Sequence, residues 1–477
     1  MVARYTHVAT RAGETASFIN PEIQAIPTAK LKKYIASPTL QPYRFQLEKL
    51  LRYKPHVLSE KEERLLAMQG QVAGGPSRIF GQLTDADLTY GTVTDEKGRK
   101  IELTQSSMRV LLESPRRATR KDAYMKFYKV MEAHKNTLAA TMNTSVQQDV
   151  YMARARNFPS AREAALFGDN VPVAVYDSLI EAVHSNLDTV YKYLALRKRA
   201  LKVKDLQFYD TYVPIAGGAR KNTPYPKGVD LIDAAPEPLG AEYRRTLKKG
   251  LLNGRWVDRY ENKGKRSGAF SAGGYTGPPY ILMNYKDQML DSVFTLAHEA
   301  GHSMHTWYAA GNQPFQNYHY TIFVAEVAST FNEQLLGKYL LDRAKSKTER
   351  AMLINKQIDE IRGTIVRQTM FAEFEKIIHA VAESGEALTI DRFRSEYRKL
   401  LELYFGEGML IHEGLELEGL RIPHFYRAFY VYKYATGLSA AIALSQMVME
   451  GGKTERDRYL SFLKSGGSKF PLDQLRD

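Results

Sequence analysis

The chain has 477 residues, of which 44% are hydrophobic and 25% charged, a composition typical of a folded globular protein and not of a disordered one. Its net charge of +14 comes from 67 Lys and Arg against 53 Asp and Glu, but these basic residues are scattered and no nucleic-acid-binding motif frames them. The chain contains no cysteine, which excludes disulfides, thiolate metal ligands and a cysteine nucleophile.

No apolar run approaches the roughly 18 residues needed to span a bilayer. Residues 1–7 lack the apolar segment of a secretory signal. We therefore expect a cytoplasmic protein with neither a membrane nor a nucleic acid as partner, and we leave the oligomeric state open. The length exceeds what one compact core usually holds and predicts two lobes or one large body.

Helical periodicity dominates the first part of the chain. Ser59 and Glu62 form a capping box that opens a short helix. Two strand-like segments around the turn 95–98 predict a β-hairpin. Longer helices are predicted from Ser114 onward and from about Pro172 to Leu201.

The middle of the chain changes character before helices return. Phe208–Pro214 and Pro279–Tyr285 resemble strands, and the segment between them is rich in glycine. The helices predicted after residue 290 span 291–310, 321–344, 347–383, 390–405, 422–450 and 454–464. We therefore predict a mainly α fold with a small β-sheet just before the central motif.

The central motif is His298-Glu299-Ala-Gly-His302, which stands inside an apolar helical pattern. Four residues turn a helix through about 400°, so His298 and His302 project from one face, one turn apart. That spacing offers two imidazole nitrogens to one zinc ion, and Glu299 can reach a water on the metal. Because the five-residue pattern also occurs by chance, the assignment depends on a third ligand.

Glu326 is the candidate third ligand. It is a lone carboxylate in the apolar stretch Ile322–Thr330, where it needs a cation or several hydrogen bonds. The alternative is a capping or surface glutamate, and the rival ligands are His305, His319 and Glu333. The extended metzincin motif is excluded because it needs glycine at position 305 and histidine at position 308.

Several stretches share a family likeness. They are residues 51–56, 264–271, 279–285, 294–305, 323–333 and 421–437. These segments closely resemble the oligoendopeptidase F group of the thimet-oligopeptidase-like (M3) zinc peptidases. The resemblance implies a large helical, two-lobed body with a deep channel that admits oligopeptides, and it places the third zinc ligand on Glu326. The chain is expected to begin and end inside the family pattern.

Aromatic residues after residue 423 are candidates for contacts with the substrate or its oxyanion. Tyr426, Tyr430 and Tyr434 recur every fourth residue and are predicted to share a helix face. Such a stripe is usually core, but the resemblance implies that a histidine and tyrosines of this region act in catalysis. We therefore assign catalytic roles to His424, Tyr430 and Tyr434 and substrate contacts to Tyr426 and Tyr432.

The strand before the motif offers a further contact. Residues Tyr280–Tyr285 are predicted to pair with the substrate backbone, the alternative being an internal strand of the sheet. Gly274, with Gly268, Gly273 and Gly277, is predicted to form a flexible lid beside it. We name Tyr280 and Gly274 as candidate substrate-binding residues.

The residues together predict a zinc metalloendopeptidase with one Zn²⁺ per chain and oligopeptides as substrates. Glu299 takes a proton from the water and passes it to the leaving amine. The predicted domains are a helical N-terminal domain over 1–100 that ends in the hairpin, and a catalytic domain over 101–477. The alternatives are a zinc carboxypeptidase or dipeptidase of related helical architecture and a zinc-less protein that only binds peptides or nucleic acid.

Overall fold

The structure is a computed structural model that describes residues 18–217, 222–263, 265 and 268–477, with the isolated positions 4, 8, 12, 15 and 16. Three positions of the glycine-rich segment, Gly264, Arg266 and Ser267, lie outside the described residues, as do most of residues 1–7. Where it is described, the chain is mainly helical with three small sheets. The predicted fold class is confirmed.

Helices account for most of the described chain. Those before the central motif are α1 Ile19–Ala25, α2 Thr28–Ile35, α3 Arg44–Tyr53, α4 Glu60–Ala73, α5 Gly75–Gln82, α6 Gln105–Leu112, α7 Arg117–Ala133, α8 Lys135–Ala155, α9 Ala161–Phe167, α10 Val173–His184, α11 Leu187–Ala200, α12 Tyr225–Ala234 and α13 Gly240–Leu252. Those that follow are α14 Leu290–Asn312, α15 Ile322–Asp342, α16 Lys347–Ile361, α17 Arg367–Glu383, α18 Ile390–Phe405, α19 Glu418–Arg421, α20 Tyr432–Ser465 and α21 Pro471–Arg476.

The strands are short. They are β1 Thr92–Thr94, β2 Lys100–Glu102, β3 Leu206–Gln207, β4 Val257–Asp258, β5 Phe270–Ala272, β6 Tyr280–Leu282 and β7 Met409–Leu410. β1 and β2 form the predicted antiparallel hairpin, and β3 pairs in parallel with β7. The third sheet has the order β4-β6-β5, with β6 in the middle.

In the first half of the chain, the structure agrees with the predicted helices and strands except at two places. The capping box of Ser59 and Glu62 is present at the start of α4. The helix predicted from Pro172 to Leu201 is broken between α10 and α11. The strand predicted over Phe208–Pro214 is wrong, because the Asp210 carboxylate accepts a hydrogen bond from the backbone N–H of Gln207, which favours a tight 3₁₀ turn there.

In the second half, the predicted helices at 291–310, 321–344 and 390–405 match α14, α15 and α18 closely. A π-helical turn at Arg362–Val366 joins α16 to α17 where one helix was predicted. The helix predicted from residue 422 is wrong over its first ten positions. Phe429 has a left-handed backbone with φ of 54°, which an α-helix cannot contain, so the helix begins only at Tyr432.

Three helices enclose the central motif. α14, α15 and α20 pack against one another, and their buried faces belong to one apolar core that runs from Phe80 to Leu463. The approach of α14 to α15 is close because a Cβ at Gly301 would lie 2.5 Å from the backbone oxygen of Ala328. A Cβ at Gly437 of α20 would lie 3.2 Å from the Glu326 Cβ. Glycine at these two positions lets the three backbones meet around Glu326.

Among the described residues, no helix combines the length and the apolar character that crossing a membrane requires. The predicted division into domains at residue 100 stays a prediction.

Candidate metal centre

The two histidines and the glutamate predicted as ligands come together between α14 and α15. The Nε2 atom of His298 lies 3.4 Å from the Glu326 Oε2 atom, and the Nε2 atom of His302 lies 3.7 Å from the same oxygen. One donor atom from each residue fits within a span of 4.8 Å. This is the one group of three such side chains that the described part of the chain brings close enough for a metal ion.

Glu333 orients the first histidine. The Nδ1–H of His298 donates a hydrogen bond of 2.6 Å to the Glu333 Oε1 atom. Because Glu333 takes the Nδ1 proton, the nitrogen left to bind a metal is Nε2, which faces Glu326 and gives up its own proton when a metal binds. Burial lowers the pKa of His298, but the hydrogen bond and charge of Glu333 outweigh it and raise that pKa to about 9.

Glu333 was considered from the sequence only as a rival ligand. It lies seven residues after Glu326, which is two helical turns along the same face of α15, and that spacing is the signal that could have identified its orienting contact. Asp291, seven residues before His298 on α14, is exposed and forms an ion pair of 2.7 Å with Lys356 instead of contacting the histidines. It does not cap α14, since the capping position is Met289 and carries no side-chain cap.

The other rival ligands lie outside the group. His305 is fully buried and stacked on Tyr320, with 3.6 Å between the ring centroids. His319 packs against Tyr318. The hydroxyl of Ser329 donates a hydrogen bond of 3.1 Å to the Glu326 Oε2 atom and helps to hold that carboxylate.

Glu299 lies beside the ligands in a nearly closed environment. Its side chain is 6% exposed, and burial raises the pKa of this carboxyl to about 7 although the charge of His298 lowers it. A hydrogen bond from the backbone of Ser271, in β5, also favours the ionised form. The Ser271 hydroxyl contacts the Ser303 hydroxyl at 2.8 Å, so β5 is held against α14. The Ser271 contact was not predicted, and no sequence motif marks it.

His424, Tyr430 and Tyr434 form one cluster. The Tyr434 hydroxyl lies 3.2 Å from the His424 Nε2 atom, and the centroids of the Tyr430 and Tyr434 rings are 5.4 Å apart. Burial raises the pKa of Tyr434, and the negative charge of Glu326 raises it further, so this cluster lies within electrostatic reach of Glu326. Burial lowers the pKa of His424, with a further contribution from the Arg427 charge.

The other two tyrosines of this region occupy different surroundings. Tyr426 shares a hydrogen bond of 2.9 Å with Thr141 and packs on the Phe80 ring. Tyr432 is fully buried, with its ring against Tyr176. The predicted common helix face is wrong, because the left-handed residue Phe429 separates Tyr426 from the helix. The substrate contacts assigned to Tyr426 and Tyr432 stay predictions.

The strand predicted to pair with substrate is internal. β6 has β4 on one side and β5 on the other, so its hydrogen-bonding edges are both occupied. β5 forms the edge of this sheet next to α14, and no further strand pairs with it among the described residues. Tyr280 is 58% exposed, and a Cβ at Gly274 would meet nothing within 4 Å, so both residues face open space.

An HExxH helix that faces a carboxylate ligand on a second helix, inside a mainly α body, defines a class of metallopeptidase. The chain belongs to peptidase family M3: it matches Peptidase family M3 over residues 110–477 and Oligopeptidase F over residues 22–90. It is a metallopeptidase of that family.

Individual relatives agree with this assignment. The chain is 44% identical to Oligopeptidase PepF of Bacillus subtilis over 468 residues, which cover 98% of this chain and 70% of the relative. Its structure is similar to that of oligoendopeptidase-F from Enterococcus faecium, with 33% identity, a TM-score of 0.79, and coverage of 99% of this chain and 80% of that one. A solved protein of Chlamydophila abortus has 38% identity and a TM-score of 0.92, with coverage of 99% of this chain and 79% of that one.

Proposed function

We propose that this chain is a zinc metalloendopeptidase that hydrolyses internal peptide bonds of oligopeptides. The observation that carries the proposal is the convergence of His298, His302 and Glu326 within 4.8 Å, with the buried carboxyl of Glu299 next to them. Membership of a family of oligopeptidases supports oligopeptides as the substrate class. A cytoplasmic location and the absence of nucleic-acid partners stay predictions.

The donor set fits one zinc ion. Two imidazole nitrogens and one carboxylate oxygen form the three-ligand set of catalytic zinc sites, and such a set leaves one position open. Ligands about 2.1 Å from a tetrahedral ion are about 3.4 Å from one another. The distances of 3.4 and 3.7 Å from Glu326 to the two histidines agree with that spacing.

Glu299 is the proposed general base and acid. When bound, zinc supplies a water of lowered pKa and polarises the scissile carbonyl. Glu299 accepts the proton of the attacking water and then passes it to the nitrogen of the leaving amine. The Ser271 backbone holds the carboxyl in place for both transfers through its hydrogen bond.

The cluster of His424, Tyr430 and Tyr434 is proposed to stabilise the developing oxyanion. Tyr434 and Tyr430 each carry an O–H, and His424 carries a ring nitrogen within hydrogen-bond distance of the Tyr434 hydroxyl. Donors aimed at the oxyanion stabilise the transition state more than the ground state. The outer edge of β5, beside Glu299, is the proposed place for the substrate backbone to pair, through the Ser271 carbonyl, since the Ser271 N–H is directed to Glu299.

The test is hydrolysis of an internally quenched peptide, blocked at both ends, by the wild type and by Glu299→Gln, with zinc content measured on both. We expect the wild type to cut inside the peptide. We expect the variant to keep one zinc per chain and lose activity by a factor of about 10³ or more, because proton transfer is removed and the ligands are not. Asp291→Asn, on the same helix but exposed, is the matched control and should retain activity.

Two outcomes would contradict the proposal. Wild-type protein that leaves blocked peptides intact but trims peptides with free ends would indicate a carboxypeptidase or dipeptidase. Wild-type protein without bound zinc, after purification in its presence, would overturn the assignment of the metal.

A further inference from the structure

A cavity of about 460 Å³ lies directly beside the aromatic cluster of the metal centre. Tyr430 forms part of its wall, together with Arg427 and Lys433 from the same segment. Other wall residues come from α8, from α9 and from the turn between them, and include Asp149 and Arg156. The cavity therefore lies between Tyr430 and the helices α8 and α9.

Most of the charges in this cavity are already paired. Arg156 forms an ion pair of 2.8 Å with Glu63, and Lys433 forms one of 2.7 Å with Asp169. The carboxylate of Asp149 lies 3.3 Å from the Nε2 atom of His379.

Arg427 is the exception. Its guanidinium has no carboxylate partner in the described part of the chain, and it lies over the Tyr430 ring at 4.5 Å from the centroid. The stacked ring limits the freedom of the long side chain, so less entropy is lost when the guanidinium binds an anion. The Arg427 charge also reaches the catalytic cluster, since it lowers the pKa of His424 and of Tyr434.

We propose that Arg427 binds a carboxylate of the peptide substrate in this cavity and makes the enzyme prefer peptides that carry one there. This inference rests on the proposed function, because it presumes that a peptide occupies the metal centre. The carboxylate is either the C-terminal group of a short peptide or an acidic side chain.

The chemistry of the guanidinium favours this ligand. Its planar fork of N–H donors matches the two oxygens of a carboxylate and can form two parallel hydrogen bonds. Every unmodified short peptide carries at least one such group, at its C-terminus. Hydrogen bonds between two charged groups are stronger than bonds between neutral ones, so we expect a preference of roughly tenfold.

The experiment compares cleavage and binding of three peptides of one sequence. The first has a free C-terminus, the second a C-terminal amide, and the third a C-terminal amide with Glu in place of one interior Gln. Values of kcat/KM are measured for the wild type and for Arg427→Gln. Binding of the same fluorescent peptides is measured with Glu299→Gln and with the double variant Glu299→Gln/Arg427→Gln.

We expect the wild type to favour one carboxylate-bearing peptide over the plain amide by roughly tenfold, and Arg427→Gln to lose that preference while still cutting the amide. A preference for the first peptide identifies the terminal carboxylate, and a preference for the third identifies an acidic side chain. Arg427→Lys, which keeps the charge but not the fork, should retain an intermediate preference.

Arg343→Gln is the matched control. Arg343 is also exposed and stacked over a tyrosine, Tyr339, at 3.9 Å, but it lies at the far end of α15 from Glu326. Its replacement should leave the peptide preference unchanged.

The inference is overturned if the wild type shows no preference among the three peptides, or if its preference persists in Arg427→Gln. Failure of the proposed function gives a different result: a protein without peptidase activity cuts none of the three peptides, and a carboxypeptidase or dipeptidase removes terminal residues from the first peptide only, which a map of the products distinguishes from an internal cut. The binding measurement still reports the carboxylate preference in that case.

Discussion

At His298, two carboxylates lie next to the two nitrogens of one imidazole ring. Glu333 accepts the Nδ1 proton at 2.6 Å, and Glu326 lies 3.4 Å from Nε2 on the other side of the ring. The two glutamates are identical in type and lie on one helix, yet Glu333 orients the imidazole and Glu326 is a proposed ligand. Position relative to the ring, and not residue type, distinguishes their roles.

Glu375 shows the same dependence on surroundings away from the metal. It is fully buried in α17, and one of its oxygens accepts a 2.9 Å hydrogen bond from the backbone N–H of Phe429, the left-handed residue that precedes Tyr430. The other oxygen has no hydrogen-bond partner among the described residues. Glu375 therefore supports the turn that directs Tyr430 towards His424.

Replacement of Glu375 by Gln should change how stability depends on pH. Burial raises the pKa of this carboxyl well above 4.5, so above about pH 4.5 the folded state holds a proton that the unfolded state has lost. The wild type consequently loses stability as pH rises from there, by up to about 1.4 kcal/mol per pH unit from this group. The stability of Glu375→Gln relative to the wild type should increase over the same range, as measured by urea unfolding.

The control for that measurement is Glu407→Gln, which replaces an exposed carboxyl. A difference between Glu375→Gln and the wild type that stays constant with pH would show that Glu375 does not hold its proton in the folded protein.

Among the elements, the contact between α14 and α15 decides whether the metal centre exists. The two ligands on α14 face Glu326 only because the helices approach until Gly301 meets the backbone at Ala328. Such a contact has no room for a side chain, and backbone atoms cannot move aside as the end of a flexible side chain can.

Gly301→Ala should therefore weaken both the fold and the site. The added methyl group would lie 2.5 Å from the Ala328 oxygen, and relief of that clash forces the helices apart. Overpacking of this kind costs about 1–3 kcal/mol in the free energy of unfolding. The affinity for zinc should fall together with the stability, because the three proposed ligands no longer meet at one point. It is measured by competition with a chelator.

Gly311→Ala provides the comparison on the same helix. A Cβ at Gly311 meets nothing within 4 Å, so the change should be neutral or should stabilise by up to about 1 kcal/mol through helix propensity. Equal effects of the two substitutions would contradict the role assigned to the close contact.

For the whole molecule, the metal centre links parts of the chain that one apolar core also holds together. α14, α15 and α20 pack on one another around Glu326, and the cavity beside Tyr430 extends to helices α8 and α9. A ligand that binds only the folded state stabilises the whole folded chain by mass action.

Removal of zinc by a chelator should lower the Tm of the wild type. A free metal concentration of about 100 times Kd contributes about 2.7 kcal/mol to stability, and that contribution disappears when the metal is removed. The measurement is thermal unfolding with and without chelator. Without chelator, Glu326→Gln should have a lower Tm than the wild type because it binds zinc more weakly, and the chelator should lower its Tm by less. An equal chelator effect on both proteins would argue against Glu326 as a ligand.

Much of the architecture could be predicted from the sequence. The ends of α14, α15 and α18 fall within about two residues of their predicted positions, because apolar residues recur there with the helical period and local patterns determine local structure. The prediction of a helix over residues 422–431 was wrong because it also relied on a local pattern. Its aromatic spacing looks helical, but Pro423 and the long-range contact from Glu375 to Phe429 favour a turn.

The sequence by itself determined which residues are the candidates for the chemistry. His298 and His302 share a helix face because of their spacing alone, and Glu299 follows from its place between them. The tertiary structure decided what surrounds these residues: that Glu333 contacts His298, that the Ser271 backbone faces Glu299, that β5 and not β6 lies at the edge of its sheet, and that Arg427 remains without a carboxylate partner in the described part of the chain. These contacts join residues far apart in the chain, so they depend on how the elements pack and not on any local pattern.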